Sequence, residues 1–471
     1  MQTPVSDYPS ARRAWYAVAV LTIAYTFSFV DRQILSLLVA PIRRDLHISD
    51  TQMSLLMGIS FALFYTLFGF PLGRMADSRS RRNIITAGVL AWSLFTAGCG
   101  LVANFLQMFL MRVGVGVGEA ALSPPAYSLM SDCFPPRRRA LALSVYGVGM
   151  YAGGGLAMIL GGIIVPYTVA AGVLRLPLIG LSIFSWQVTF FLVGLPGLLV
   201  AALVRTVREP PRRETRSATV PPVRAVFTYI KQQRATFACH NFATSLLSFA
   251  AYGSMAWIPT FLMRTYGWSA AHAGLVFGSV VTVCSSLGIL SGGWFCDFLA
   301  RRGYRDAHFR VGLIVTLLIL PVAALYPLMP TARLAVALLV PFAFLMAAMY
   351  GVAPAALQQM VPNEMRAQVS AMYLFVVNII GLGAGTTAIA LLTDHVFHDD
   401  NMLRYSLLIS GTGAYVVSAL LWWRGLNPYR CTGDHAEALR SPQTAPAMAR
   451  TSRRRAFNRI GLPVDLTVVE L

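Results

Sequence analysis

The stretch QMFLMRVGVGVGEAALSPPAY, residues 107–127, sets Arg112 and Glu119 inside an apolar run long enough to cross a bilayer. A charge near the middle of a membrane helix costs roughly 2.5–3.5 kcal/mol on insertion scales, so such residues face a bundle interior or a watery cavity and mark a pathway. The two are seven residues apart, about two helical turns, and look out from one face. That face is the first candidate for a functional one.

The rest of the composition agrees. Of 471 residues 56% are hydrophobic and 12% charged, with a mean hydropathy of +0.62, which describes a polytopic membrane protein. The net charge of +19 invites a nucleic-acid reading, but its distribution argues against one. Of 38 basic residues, all arginine except Lys231, 30 fall in segments assigned to the cytoplasm, 6 in outer segments and 2 within helices. That asymmetry is the positive-inside rule, and it places both termini in the cytoplasm. Nucleic-acid binding would need a basic, base-stacking face on a soluble domain, and none is visible. The six cysteines (Cys99, Cys133, Cys239, Cys284, Cys296, Cys431) are scattered without a CxxC or a Cys/His cluster, so no disulfide framework or metal site is expected. No nucleophile or phosphate loop appears either; Gly114, Gly116 and Gly118 lie in a membrane helix. The expectation is a protein that is no enzyme and carries no cofactor.

Runs of about 20 apolar residues recur near Ala14–Val39, Gln52–Leu72, Ile84–Leu101, Phe105–Met130, Leu141–Val165 and Trp186–Val204. A second set lies near Thr236–Met263, Ala271–Cys296, Val311–Met329, Ala335–Met360, Ala367–Thr393 and Tyr405–Trp423. The predicted fold is all-α: twelve transmembrane helices in two six-helix, pseudo-symmetric bundles, residues 1–205 and 235–426. A Pro- and Arg-rich cytoplasmic linker, 206–234, joins them, and a basic cytoplasmic tail, 427–471, follows, expected to be disordered or to lie on anionic lipid. An internal repeat supports the two halves. Gly73, Asp77, Arg81 and Arg82 recur at an offset of 220 residues as Gly293, Asp297, Arg301 and Arg302. In each copy the glycine would permit close helix approach and the arginine pair would anchor a cytoplasmic end.

These residues resemble a known family. The Gly73–Arg82 loop is similar to the GxLaDrxGrrr signature of the major facilitator superfamily, and Arg112-x-x-x-Gly116-x-Gly118-Glu119-Ala120 to its fourth-helix RxxxGxgeA signature. Ser78 and Ser80 depart from the first pattern, which usually has Arg and Gly there, and the Gly-Pro pair usual in the glycine-rich fifth helix is missing. Within the superfamily the chain resembles the bacterial spinster branch, through Val30-Asp31-Arg32-Gln33, Phe64-Tyr65, Ser123-Pro124, Ser131-Asp132, Trp186-Gln187 and Gly194-Leu195-Pro196-Gly197. The resemblance implies a secondary transporter in the bacterial inner membrane, moving an amphipathic lipid such as a lysophospholipid or sphingosine phosphate, with protons as co-substrate. It also implies a conformational latch formed by Gly73, Asp77, Arg81 and Arg82 against the start of the eleventh helix, where Asn363 would be an N-cap, with a weaker copy at Asp297.

Only Asp31, Arg32, Arg112 and Glu119 are strongly charged residues away from span ends. Asp31 and Arg112 fall at similar depth, so a pair between them is allowed, while Glu119 lies near the midplane, where burial favours a protonated carboxyl. The functional expectation is that Glu119 and Asp31 respond to protons, with Arg112 or Arg32 as charge partner or headgroup site. Against it stands a permanent Asp31–Arg112 and Arg32–Glu119 network that only fixes helices. Cavity candidates are Tyr65, Tyr127, His240, Asn241, Ser248, Tyr252, Tyr350 and Asn378, His240 also reading as an interfacial residue. Pro124 and Pro125 would kink the fourth helix. A proton-coupled symporter or exporter of hydrophobic organic anions or drugs is the alternative, a transporter-like sensor the remote one, and a monomer is expected.

Overall fold

The computed structural model describes residues 8–170, 173–176, 181–212, 222–362 and 365–440. Twelve helical segments are long and apolar enough to cross a membrane: Ala11–Leu37, Asp50–Ala76, Arg81–Leu101, Phe105–Cys133, Val145–Val165 and Gln187–Arg205, then Arg234–Tyr266, Ala270–Arg301, Ala307–Leu328, Ala332–Gln359, Gln368–Phe397 and Asp400–Gly433. Helix is what hydrocarbon imposes, because each backbone amide must find its partner within its own segment. Polar side chains mark the starts. Ser49 and Gln52 form a reciprocal capping box at the second span, and Ser80, Asn104, Ser269 and Thr331 cap the third, fourth, eighth and tenth. Gly267, at φ +67°, closes the seventh in the left-handed conformation.

Several spans are interrupted, each for a local reason. The fourth runs to Ala120, turns, and restarts at Ser123 with proline in its first turn, so Pro124 and Pro125 break the helix just past Glu119. The sixth is divided at Leu195–Pro196. The eighth and eleventh contain π turns, Val281–Ser285 and Asn378–Ala384, a rare geometry that clusters at functional positions. Between the fifth and sixth spans, strands Val173–Leu176 and Leu181–Phe184 pair antiparallel, a small addition to an otherwise helical fold. The last helix continues to Arg440, so the start of the predicted tail, from Asn427, is helical; residues 441–471 lie outside the described residues.

The halves meet where glycine lets backbones touch. In the fifth and eighth spans, a Cβ on Gly278 would stand 2.8 Å from the Gly155 carbonyl oxygen, and one on Gly155 would stand 2.8 Å from the Gly278 carbonyl. In the second and eleventh, a Cβ on Gly58 would lie 2.8 Å from the Leu382 carbonyl. The repeat glycines are different. A Cβ on Gly73 would meet only Pro124 at an ordinary 3.5 Å, and one on Gly293 would meet nothing, so close approach is not what these two provide.

Among the described residues, every ion pair joining the bundles lies at the end away from the termini, the outer end on the charge-asymmetry reading. Asp50, fully buried at the head of the second span, takes both guanidinium nitrogens of Arg264 from the end of the seventh, at 2.6 and 2.9 Å. Arg43 bridges Asp50 at 3.1 Å and Asp400 at 2.5 Å, and Thr51 donates through both its backbone and hydroxyl to Asp394 at 2.6 and 2.7 Å. The outer end is clasped shut.

Candidate functional site

The first span carries Ser28, Asp31 and Arg32 toward the fourth, which brings Arg112 and Glu119. Glu119 is fully buried; its Oε2 accepts from Arg32 at 2.6 Å and from Ser28 Oγ at 2.5 Å. The Arg32 guanidinium stacks among three rings, 4.6 Å from the centre of Phe29, 4.3 Å from Phe61 and 4.9 Å from Tyr65. Such rings favour a cation electrostatically and hold its planar fork in one orientation.

Asp31 and Arg112 do not form the expected pair. Arg112 donates to two main-chain carbonyls, Leu56 at 3.4 Å and Asp31 at 3.3 Å, while the Asp31 carboxylate accepts from Thr96 Oγ1 at 3.1 Å. The reason is directional: the fourth span presents Arg112 to the backbone at the end of the first helix, and the Asp31 side chain turns toward the third. Of the network that would merely fix the helices, one ion pair is present and the other is not. Asp31 Oδ1, Arg112 Nη2 and Glu119 Oε1 are buried, each without a hydrogen-bond partner among the described residues. Native proteins seldom leave such groups unpaired, since each costs on the order of 1–3 kcal/mol.

Arg32 faces a small recess lined also by Phe29, Gln33, Ser36, Tyr252 and Thr386. Phe29, Gln33 and Tyr252 are shared with a larger cavity, of about 160 Å³, lined by residues of both bundles. Its wall is apolar and soft, with Met150, Met255, Met346 and Met349 beside Tyr151, Tyr350 and Tyr373. Tyr252, Tyr350 and Asn378 therefore line the cavity, the first two sharing a hydroxyl contact of 3.2 Å. Tyr65 serves instead as a face of the Arg32 cage, and Tyr127 packs edge-on against Tyr146.

His240 is not among the residues that line the cavity. It is wholly buried behind the wall, among the rings of Phe309, Tyr373 and Trp422, with Nε2 at 2.9 Å from the Ala353 carbonyl and Nδ1 at 3.2 Å from Asn241 Oδ1. Asn241 is thereby a partner of that histidine and is absent from the cavity lining.

At the inner end Arg81 stays within its own half. It pairs with Asp132, donates to Ser128 Oγ at 3.0 Å, and meets Glu209 through backbone N and Nε at 2.9 and 3.1 Å. Arg212 then caps the second span, donating to the Ala76 and Arg79 carbonyls at 2.7 Å each. The linker's first residues are thus stapled to the signature loop, which the sequence reading missed; acidic Glu209 opposite an arginine pair was the available signal. Glu209 is pushed up by burial, but the Ser80 hydroxyl and the donors and charge of Arg81 outweigh this and hold it below the usual carboxylate range. Asp297 is exposed and Arg82 half-buried, the latter's guanidinium reaching Asn83 at 3.4 Å. The Asp77 side chain, and Asn363 with Glu364, lie outside the described residues.

The general model of the Major Facilitator Superfamily matches residues 21–386. An "MFS-type efflux pump" of Mycolicibacterium smegmatis is 29% identical over 435 residues, 91% of this chain and 96% of the relative. A hexuronate transporter of Bacillus subtilis is 27% identical over 296 residues, 61% of this chain and 65% of its own. Among solved structures, a bacterial homologue of the human lysosomal transporter Spinster, inward-facing and unoccupied, shares 26% identity and a TM-score of 0.72, covering 92% of this chain and all of that one. A D-xylose–proton symporter, at 16% identity and a TM-score of 0.67, shares the fold. Two pseudo-repeated bundles clasped at one end around a central cavity, matched along most of their length, make this chain a member of the Major Facilitator Superfamily, a spinster-like multi-pass transporter of the inner membrane.

Proposed function

We propose that the protein moves an amphipathic anion, of lysophospholipid or sphingosine-phosphate type, across the membrane by alternating access, coupled to protons. The observation that carries this reading is the Arg32–Glu119 pair beside a small recess, with Gln33, Ser36 and Thr386 in its lining, that adjoins a larger apolar cavity. Arg32 is the only strong cation lining either chamber among the described residues, and Glu119 occupies it. A proton on Glu119 removes the charge that holds the guanidinium and releases it to an incoming phosphate or carboxylate. An anion on Arg32 in turn releases Glu119 to take a proton. Each ligand raises the affinity for the other by linkage, the logic of co-transport in one direction. Asp31 and Arg112, with unspent hydrogen-bonding capacity at Oδ1 and Nη2, stand as the neighbouring charges through which the proton is shared. The methionine-rich wall suits an aliphatic tail, since thioether side chains repack around irregular apolar groups.

The same wall suits a hydrophobic organic anion or drug, and the efflux pump's similarity favours that second reading. The test is substrate-driven proton flux in liposomes carrying the purified protein and an internal pH dye, with lysophospholipids, sphingosine phosphate and a panel of organic acids. Acidification or alkalinisation on adding lysolipids supports the first reading. A response to organic acids alone transfers the protein to the second.

A further inference from the structure

We infer that Gln33 and Asn378, two side-chain amides from opposite bundles facing one cavity, are specificity-determining residues that read a neutral hydroxyl or amide on the substrate, between its anionic head and its tail. This rests on the reading of the cavity as the site of an amphipathic anion.

Most polar groups of the two chambers are already engaged. The Arg32 guanidinium holds Glu119. Ser36 Oγ donates to the Gln33 carbonyl at 2.6 Å, Thr386 Oγ1 to the Leu382 carbonyl at 3.2 Å, and Thr244 Oγ1 to the His240 carbonyl at 2.8 Å. The hydroxyls of Tyr252 and Tyr350 engage each other. The side chains of Gln33 and Asn378, like the hydroxyls of Ser248 and Tyr151, have no hydrogen-bond partner among the described residues, and of these groups only the two amides, one on each bundle, have two donors and an acceptor to offer; both line the larger cavity and are only partly exposed. An amide offers two donors and an acceptor, so it can grip a hydroxyl or another amide whichever way that group points. A phosphate or carboxylate would use only half of that capacity, and it already has a cation in Arg32.

Position adds to this. Gln33 follows Arg32 directly, is the last residue of the first α-helix before a 3-10 turn (Ile34–Leu37), and borders both chambers. A group read there lies next to whatever Arg32 holds. Asn378 opens the π turn of the eleventh span, the turn whose Gly383 would place a Cβ 3.8 Å from Ile59 of the second span. A ligand held by both amides therefore joins the bundles beside a contact that must change as they rock. Selectivity arises because an amide desolvated by a ligand that cannot pair with it is left unsatisfied.

The experiment is equilibrium binding, by calorimetry on the purified full-length protein in detergent, of dodecyl phosphate and 2-hydroxydodecyl phosphate. The unsubstituted protein should bind the hydroxylated probe about tenfold more tightly. Gln33→Met and Asn378→Leu should each shrink that ratio several-fold, by weakening the hydroxylated probe and by relieving the plain probe of an unsatisfied amide, while an unchanged melting temperature reports an intact fold. Equal binding of the two probes by the unsubstituted protein, or a ratio unchanged in both variants, overturns the inference. Either outcome leaves proton-linked transport to be judged by the flux measurement. Conversely, absent flux with a hydroxyl preference that vanishes in the variants would overturn the coupling and uphold this one.

Discussion

Replacing Asp50 by Asn should open the transporter outward. Its carboxylate is fully buried, takes both nitrogens of Arg264 across the bundle boundary, and also meets Arg43. In the outward-open state these contacts are broken in any case and the groups are hydrated, so the loss falls on the closed state alone. Removing one partner of a buried pair costs about 3–5 kcal/mol. Here Arg264 is 14% exposed and keeps Asp400 at 3.3 Å, which lowers the expectation to about 2–3 kcal/mol, or about 30- to 150-fold in the conformational equilibrium. Thr260 is 2% exposed, with its hydroxyl 3.5 Å from the Ser36 carbonyl, between the clasp and the cavity. A cysteine there, with the native cysteines replaced, reports outer opening through its reaction with an impermeant maleimide. Asp50→Asn should speed that reaction at least about 30-fold, whereas Arg44→Gln, which removes an exposed arginine bound only to its neighbour Asp45, should not change it. A rate for Asp50→Asn within about twofold of the parent would refute the clasp as the element that sets the balance.

Other consequences follow from the same geometry. Gly278→Ala places a methyl 2.8 Å from the Gly155 carbonyl; it should force the fifth and eighth spans apart and raise the same labelling rate, at a stability cost of about 1–3 kcal/mol in thermal unfolding. Arg32→Lys keeps the charge but loses the fork set among Phe29, Phe61 and Tyr65, and should weaken anion binding about tenfold in calorimetry. The Glu209 staple has a pH signature. Its carboxyl titrates below the usual range, so its stabilisation is complete above the ordinary carboxylate pKa and is lost as pH falls through the lower folded value. Glu209→Gln should therefore lower the melting temperature at neutral pH and shrink the drop seen on acidification below pH of about 4; an unchanged acid profile would contradict the staple.

Much of the architecture was legible because hydrocarbon leaves the chain few choices: twelve apolar runs, an arginine imbalance and charges that a membrane penalises are visible one residue at a time. The Arg32–Glu119 pair belongs to that legible part. The outer clasp was not, since Arg43, Asp50, Arg264, Asp394 and Asp400 come from three separate stretches near span ends, and each alone reads as an ordinary loop charge. Asp31 and Arg112 show the limit of depth arguments, which place residues at one level without saying which way a side chain turns. His240 failed for a related reason: distance from a helix end cannot reveal three rings converging from other spans.

The central claim is that Arg32 passes between Glu119 and the substrate's anion, and Glu119→Gln tests it most directly. In liposomes, that variant should exchange labelled lysolipid between the two sides at a rate near the unsubstituted protein's, while a pH gradient no longer drives accumulation and substrate addition no longer moves the internal dye. Accumulation driven by the pH gradient in Glu119→Gln, at the unsubstituted protein's level, would contradict the account.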